Sequence, residues 1–491
     1  MTDSKKDLEN ILAKARNLNQ DERHLIKQAY QFAAEKHHGQ TRLSNENYLN
    51  HPVAVAMILA EQQADADTIA AGLLHETLED TDTTPQELEN KFGPDITFLV
   101  KGVTKLGQLK YQGIERHGES LRKLFLATAQ DIRTILIRLA DRLHNVRTLE
   151  FVPQNKQKRI ALETLEIYAP IANRLGMWKL KGSLEDSSFP FVYPEAYRQV
   201  SELRKTKSQE NIKYLKKISR TLQKELAQIG LRNVEVDYRI KYLYSLYLKL
   251  KQKDMDIDRI HDISALRVIV PELTDCYQTL GIVHSLWRPL PNRLKDYIAN
   301  PKPNGYQSLH TTVFTGEDSI AEIQIRSQEM HQNAEYGVAS HLIYDEAGKS
   351  NRAQLSKKTK WLKRLIEEPS PDSDSGEFLT NLKQDLFQNS IFVFTPKGDV
   401  IELPTDSTPI DFAYAIHSDI GNQAVGALID NKMVSLHTPL KNHDIVKIKT
   451  SKKTHPNIKW LDFVKTGLAR KQIKSYLQKN NNSNEYHKTS R

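Results

Sequence analysis

The hydrophobic period of this chain changes along its length, and that change constrains the fold more than any other feature. In the first half, apolar residues recur at helical spacing. Over residues 134–148, Leu136, Leu139 and Leu143 share one stripe, while Asp141, His144, Asn145 and Thr148 stand at i, i+3, i+4 and i+7 on another. Period-two segments begin after about residue 200, at 234–239, 265–270, 311–314 and 321–326, and alternate with longer helical stretches. The pattern predicts a helical domain followed by an α/β or α+β domain. Residues 367–376, rich in Pro, Ser and acid, read as a linker. Beyond them, residues 391–400 read as a hairpin turning at 396–399, and 444–450 as the closing strand of a compact β unit. The asparagine-rich stretch 480–484 predicts a disordered end.

With 39% hydrophobic and 27% charged residues over 491 positions, the chain suits a multidomain protein with ample core. No apolar run is long enough to span a bilayer, and residues 1–6 lead into a charged helix instead of a signal peptide. A cytoplasmic protein without membrane contact is expected. Cys276 is the sole cysteine, which excludes an intrachain disulfide and a thiolate metal cage, and its neighbours suit ordinary packing. From residue 451 onward ten Lys and Arg face only Asp462 and Glu485, a net of +8 out of the chain's +9. With Trp460, Phe463 and Tyr476 interleaved, this tail suits either contact with a polyanion such as RNA or a solvated basic helix.

Two residue constellations carry chemistry. His51, His75, Glu76 and Asp141 offer imidazoles and carboxylates from three helical segments. That mixture suits a Mn-like divalent ion with open positions for water and phosphate rather than a closed structural zinc site. Glu79 and Asp80, one turn further on, are placed to orient or deprotonate a bound water. A zincin is excluded because Glu79, not His, stands at i+4 from His75, and His37 and His38 are not expected to be ligands. The second constellation is a strand. Period two sends Glu322, Gln324 and Arg326 to one face and Ile323 and Ile325 to the other, just after a turn-rich run, 301–310, carrying Lys302, Asn304, Tyr306 and His310. The bare pattern fits either a ligand-holding face or an amphipathic edge strand. Arg239 and Lys241 alternate on one face of an earlier segment, with Ser245 and Lys249 a turn apart after it. Cations of this kind, with carboxylates for Mg²⁺ and a group to activate a hydroxyl, are what pyrophosphoryl transfer requires. The chain has no Walker-type phosphate loop.

The run K-x-N-x-Y-Q-S-L-H-T-T-V at 302–313, followed by E-x-Q-I-R at 322–326, closely resembles the synthetase domain of the long RelA/SpoT-homologue family, the (p)ppGpp synthetase/hydrolases of the bacterial stringent response. The resemblance extends from roughly the first thirty residues to near the C-terminus. It implies an all-α HD-type hydrolase domain at 1–195 and an α/β (α+β), nucleotidyltransferase-like synthetase domain at 196–345. A helical, acidic linker would follow at 346–388, a small β-grasp TGS domain at 389–451, and a basic helical piece with a disordered tail at 452–491. In the first domain it implies manganese on His51, His75, Glu76 and Asp141, catalysis by Glu79 and Asp80, and nucleotide contacts from Arg42, Asn145 and Thr148. In the second it implies ATP-phosphate contacts from Arg239, Lys241, Ser245 and Lys249, and Mg²⁺ on Asp262 and Glu322, with Glu322 also able to activate the acceptor hydroxyl. Tyr306 would stack on guanine, and Arg267, Arg293, Lys295, Lys302, Asn304, Gln307, His310 and Gln324 would complete the nucleotide site. His417 is the counterpart of a residue that meets the 3′ end of tRNA, so tRNA or the ribosome is an implied partner of the TGS domain and basic tail.

The expected activity is transfer of pyrophosphate from ATP to the 3′-OH of GDP or GTP, and Mn-dependent hydrolysis of (p)ppGpp. The alternative is a synthetase-only enzyme whose HD domain is degenerate and regulatory. Arg293-Leu294-Lys295-Asp296 has the R-x-K-D form of bifunctional members. Four positions depart from the family pattern: Glu76 replaces Asp, Leu43 replaces Lys, and Tyr238 and Ile240 replace Gly and Pro.

Overall fold

The computed structural model describes residues 2–15, 18–107, 128, 130–257, 259, 260, 262–302, 304–316, 319–342, 390–441 and 444–488. The chain divides into two compact units, Met1–Leu379 and Thr380–Arg491. The linker expected at 367–376 lies outside the described residues.

The first unit opens as a helical bundle. Asn19 starts the helix Gln20–Lys36 with a reciprocal capping box, and Asp65 caps Ala66–Leu74 by accepting from the Thr68 amide at 2.7 Å. Asn50–Glu61 and Ala66–Leu74 are apolar on most of their surface and form the buried centre. They approach closely because Gly72 faces Leu59, where a Cβ would come within 2.5 Å. Arg133–Arg147 packs on Asn50–Glu61, burying Leu136, Leu139 and Leu143 as their spacing predicts. Trp178–Val192 packs against Arg133–Arg147 and leads into the 35-residue helix Pro194–Gln228.

That long helix covers one face of a mixed six-stranded sheet. The strands are β1 (Glu235–Ile240), β2 (Ser264–Val270), β3 (Arg288–Pro289), β4 (Lys295–Asp296), β5 (Leu309–Phe314) and β6 (Ile320–Ser327), in the order β1-β2-β6-β5-β3 with β4 pairing β5. β2 and β6 run parallel, and the other pairs are antiparallel. Leu266, Val268, Ile323, Ile325 and Leu309 bury themselves against Leu215, Leu222, Leu226, Cys276 and Val283. Cys276 is thus a packing residue, and burial pushes its thiol up to about 12. β6 has a neighbour on each side, so the edge-strand alternative for 321–326 is excluded. Pairing aligns Arg239, Ala265, Glu322 and Thr312 in one row, and Asp237, Arg267, Gln324, His310 and Lys295 in the next. Both rows project from the face opposite the long helix.

The second unit contains the expected hairpin, β7 (Ser390–Phe394) and β8 (Val400–Pro404), closed by the Thr395 amide on Asp399 O at 2.9 Å with Gly398 at φ 88°. β9 (Ala424–Ile429) lies between β10 (Lys432–Val434) and β11 (Val446–Thr450). The helix Pro409–Ile416 packs its Phe412 into this β core. The last helix spans Gly467–Lys488.

Candidate functional site

Two sites occupy the first unit. In the helical part, His51 stands in the first turn of Asn50–Glu61, His75 ends Ala66–Leu74, Glu76 precedes the short helix Thr77–Asp80, and Asp141 lies mid-way along Arg133–Arg147. His51 Nε2 comes within 3.3 Å of His75 Nε2 and 3.4 Å of both Glu76 Oε1 and Asp141 Oδ1. The donors of His51, His75 and Asp141 all lie within 4.8 Å of one another, and all three residues are buried. Glu76 reaches His51 but is not part of that tightest group.

Their surroundings set the chemical form of each donor. His75 Nδ1 bonds Gly72 O at 2.8 Å, which makes Nδ1 the protonated nitrogen and leaves the Nε2 lone pair free. His51 Nδ1 bonds His144 Nδ1 at 2.8 Å and orients the second ring in the same way. Burial opposes ionisation of Asp141, but the Arg138 guanidinium at 2.7 Å and His51 hold its carboxyl far below the usual range. Burial also opposes Glu76, yet His51 and His75 hold it down at about 2. Glu76 Oε2 is buried without a hydrogen-bond partner. The two convergent imidazole Nε2 atoms, the ionised carboxylates and the orphaned carboxylate oxygen fit a divalent cation, which would displace the proton that His51 shares with Asp141 and Glu76.

Glu79 follows the cluster, and burial together with the charges of Asp80, Glu76 and Asp141 raises its carboxyl to about 7 against the opposing pull of Arg138. Asp80 Oδ2 accepts from the Tyr48 hydroxyl at 2.6 Å. A cavity of about 540 Å³ opens beside the donors, lined by Arg42, His51, Asp141, Asn145 and Thr148. Arg42 donates to Asn145 Oδ1 at 3.2 Å, and Leu43, 76% exposed, stands at the rim. Glu79 and Asp80 do not line this cavity. Sequence reasoning missed His144 and Tyr48 as parts of the site; His144 shares the helical stripe of Asp141, whereas nothing local marks Tyr48.

The second site is a cavity of about 600 Å³ over the two sheet rows. It gathers Arg239, Lys241, Ser245, Lys249, Asp262, Arg293, Lys295, Lys302, Asn304, Tyr306, His310, Glu322 and Gln324. A hydrogen-bonded chain crosses its floor. Tyr306 Oη and His310 Nε2 are 2.8 Å apart, His310 Nδ1 lies 3.3 Å from Glu322 Oε1, Gln324 Nε2 donates to the same oxygen at 2.8 Å, and Arg239 donates to Gln324 Oε1 at 3.2 Å. Burial pushes the Glu322 carboxyl up, but the interactions with His310 and the bond from Gln324 together outweigh it and the net shift is downward. Burial lowers His310 despite Glu322. An ionised Glu322 fixes the proton of His310 on Nδ1, so Nε2 accepts from Tyr306.

Facing this floor, Lys241 and Lys249 both bond Asp262 Oδ2, Lys249 at 2.5 Å. Burial resists ionisation of Asp262, but the two ammonium groups hold it at about 2, and its Oδ1 is buried without a partner. Burial lowers Lys241 to about 8 despite Asp262, aided by the like charge of Lys249. Asp262 and Glu322 thus offer ionised oxygens to a hard cation. The turn carrying Tyr306 is closed by the Lys302 amide on Tyr306 O at 3.0 Å, with Gly305 at φ 78°. Lys302 Nζ stands 5.2 Å from the Tyr306 ring centroid and 4.6 Å from that of Tyr297.

Two residues expected at the nucleotide site lie outside the cavity lining. Arg267 does not line the cavity, since its guanidinium is bound by Asp237 at 2.7 Å and by Glu335 at 2.8 Å. Gln307 turns away to Ile298 O at 3.3 Å. Trp178, Lys253, Arg259 and Tyr297 line the cavity and were not foreseen. In the second unit His417 is 63% exposed and caps Ser418–Asn422 by accepting from the Asp419 amide at 3.2 Å.

These features define a chain that joins a helical metal-site domain to a cation-lined mixed-sheet domain and a small β domain. Residues 29–178 match the HD domain, 238–349 the region found in RelA / SpoT proteins, and 391–450 the TGS domain. The chain is 47% identical to the GTP pyrophosphokinase of Myxococcus xanthus, over 92% of this chain and 60% of that protein. It is 46% identical to the guanosine-3′,5′-bis(diphosphate) 3′-pyrophosphohydrolase of Aquifex aeolicus, over 92% of this chain and 64% of the other. With the bifunctional (p)ppGpp synthase/hydrolase SpoT of Escherichia coli K12 it shares 44% identity, over 94% and 66% respectively. The chain therefore belongs to the RelA/SpoT-homologue family, and spans 60 to 66% of the length of these relatives. No described helix is long and apolar enough to cross a membrane.

Proposed function

We propose that the chain is a bifunctional alarmone enzyme that transfers pyrophosphate from ATP to the 3′-OH of GDP or GTP and hydrolyses (p)ppGpp to GDP or GTP and pyrophosphate. The observation that carries this reading is the presence in one unit of two separate sites, one with a buried His-His-Asp donor set and one with paired carboxylates among many cations. Relatives bearing pyrophosphokinase, pyrophosphohydrolase and bifunctional names support it. The synthetase-only alternative is not favoured, because Glu76 is ionised, buried at Oε2 and within 3.4 Å of His51 despite its extra methylene.

In hydrolysis, Arg42, Asn145 and Thr148 hold the nucleotide beside the metal donors. His51, His75, Asp141 and Glu76 would hold a divalent ion, Mn²⁺ by their oxygen-nitrogen donor mixture, which would supply acidification of a water and neutralisation of phosphate charge. Glu79, poised near neutrality, takes the proton of the attacking water, and Asp80, fixed by Tyr48, orients it. In synthesis, Lys241, Lys249, Ser245 and Arg239 hold the triphosphate, and Tyr306 stacks on the acceptor guanine while Asn304, Lys302, Arg293 and Lys295 surround it. Asp262 and Glu322 would hold Mg²⁺, which would offset the charge of the transferring group. Glu322 accepts the proton of the 3′-hydroxyl, whose oxygen attacks the β-phosphorus as AMP leaves. The same reading assigns the enzyme to the cytoplasm and gives the TGS domain, through His417 and the basic tail, contact with tRNA or the ribosome.

The test is to incubate the protein with ppGpp and Mn²⁺, and separately with ATP, GDP and Mg²⁺, and to resolve the nucleotides by anion exchange. GDP with pyrophosphate in the first case, lost in H75A, and ppGpp with AMP in the second, lost in E322Q, are the expected products. Unchanged ppGpp in the first incubation refutes bifunctionality.

A further inference from the structure

The helix Leu243–Lys251, which carries Ser245 and Lys249, begins without a cap of its own. Tyr242 at its N-cap makes no side-chain capping bond. The acceptor comes from elsewhere. Asp186, on Trp178–Val192, accepts from the Leu243 amide through Oδ2 and from the Tyr244 amide through Oδ1, both at 3.0 Å. The neighbouring Glu185 accepts from Ser245 Oγ at 3.2 Å. Arg204 stands 3.9 Å from Asp186 and donates to Lys241 O at 3.2 Å. Gly182, one turn before Asp186, makes room for the Tyr242 ring, which a Cβ there would meet at 2.2 Å.

We infer that Asp186 is a positioning residue for pyrophosphoryl transfer, a cap supplied by a different helix of the chain that sets the phase of the helix presenting Ser245 and Lys249 to the ATP phosphates. This inference rests on the synthetase reading of the second site. A nine-residue helix has little stability of its own, so its start and rotation depend on the groups that satisfy its first amides. Rotation moves Ser245 and Lys249 together, because they lie four residues apart on one face. Lys241 precedes the same start, and its carbonyl is tied to the partner of the cap. The synthetase cavity is therefore completed by a helix that begins at the end of the HD match and contributes Trp178 to its wall.

The experiment measures kcat and KM for ATP in synthesis, KM for GDP, and the rate of ppGpp hydrolysis, in the full chain and in D186A, D186N and G182A. Loss of both capping bonds in D186A is expected to raise KM for ATP about tenfold, with hydrolysis and KM for GDP unchanged. Asn keeps one acceptor oxygen, so D186N falls between D186A and the unmutated protein. G182A is expected to weaken ATP use by displacing Tyr242, although alanine is the better helix former. Unaltered KM for ATP in D186A overturns the inference, as does an equal loss of both activities, which marks a purely structural residue. An unmutated protein that makes no ppGpp overturns the synthetase reading itself and the inference with it.

Discussion

Lys241 gives the synthetase site a pH dependence whose sign and size follow from its surroundings. Burial lowers this ammonium from 10.5 to about 8, the like charge of Lys249 pushes the same way, and Asp262 opposes both. The charged form is the one that holds a triphosphate. If this site holds ATP as proposed, affinity for it is expected to be fully present well below pH 8 and lost as pH rises through it. For a single required cation the dissociation constant scales as one plus the ratio of neutral to charged lysine, which gives about a tenfold loss between pH 7 and pH 9. The assay is titration of a non-hydrolysable ATP analogue with Mg²⁺, in the absence of guanine nucleotide, across pH 7 to 9.5. A K241R protein supplies the control, since guanidinium stays charged throughout this range and should flatten the profile. A flat profile in the unmutated protein, or one that K241R leaves unchanged, refutes the assignment of Lys241 to the ATP phosphates.

Three further outcomes are expected. E79Q should reduce ppGpp hydrolysis by at least about a hundredfold while leaving ppGpp binding within a few-fold, measured by single-turnover rates and equilibrium titration; a matching loss of binding would remove Glu79 from proton transfer. Treatment with a chelator should abolish hydrolysis, and restoring Mn²⁺ at a hundred times its dissociation constant should stabilise the protein by about 2.7 kcal/mol in thermal unfolding, an effect absent in H75A. G337A should cost about 3 kcal/mol or more in denaturant unfolding. Gly337 adopts φ 58° and ψ −123°, and a Cβ would lie 2.4 Å from Leu175 O, so a cost below 1 kcal/mol would refute that packing.

Much of this was legible in the sequence because the informative patterns are local. The stripe of Leu136, Leu139 and Leu143, the alternation of Glu322 to Arg326 and the turn at 396–399 all report the backbone period that produces them, and each appears in the fold. The hidden part is tertiary. Arg267 stands in the row of His310 and Gln324, as alternation requires, but its charge is taken by Asp237 across the sheet and Glu335 from the helix Gln328–Tyr336. No spacing rule contains that competition. Trp178 reaches the sheet cavity, and Asp186 the start of the helix that carries Ser245 and Lys249, from a helix that belongs, by sequence, to the preceding domain.

The departures from the family pattern become intelligible once each residue is assigned to a face. Arg239 projects into the cavity, whereas Tyr238 and Ile240, one residue to either side, point away from it. Tyr238 packs against the core beneath the sheet, so exchanging Gly for Tyr adds buried surface without touching the phosphate-binding face. Ile240 pairs with Ser264 as the last residue of β1, an edge strand, at a position whose amide faces away from β2. Lys241 follows directly, anchored by its amide on Ile263 O at 2.9 Å. The strand and the residue after it therefore deliver Arg239 and Lys241 to the cavity whichever side chains stand beside them. A binding motif of this kind is preserved by the period of its strand and by the carboxylate its cations share, and the identity of the intervening residues is free to follow the core.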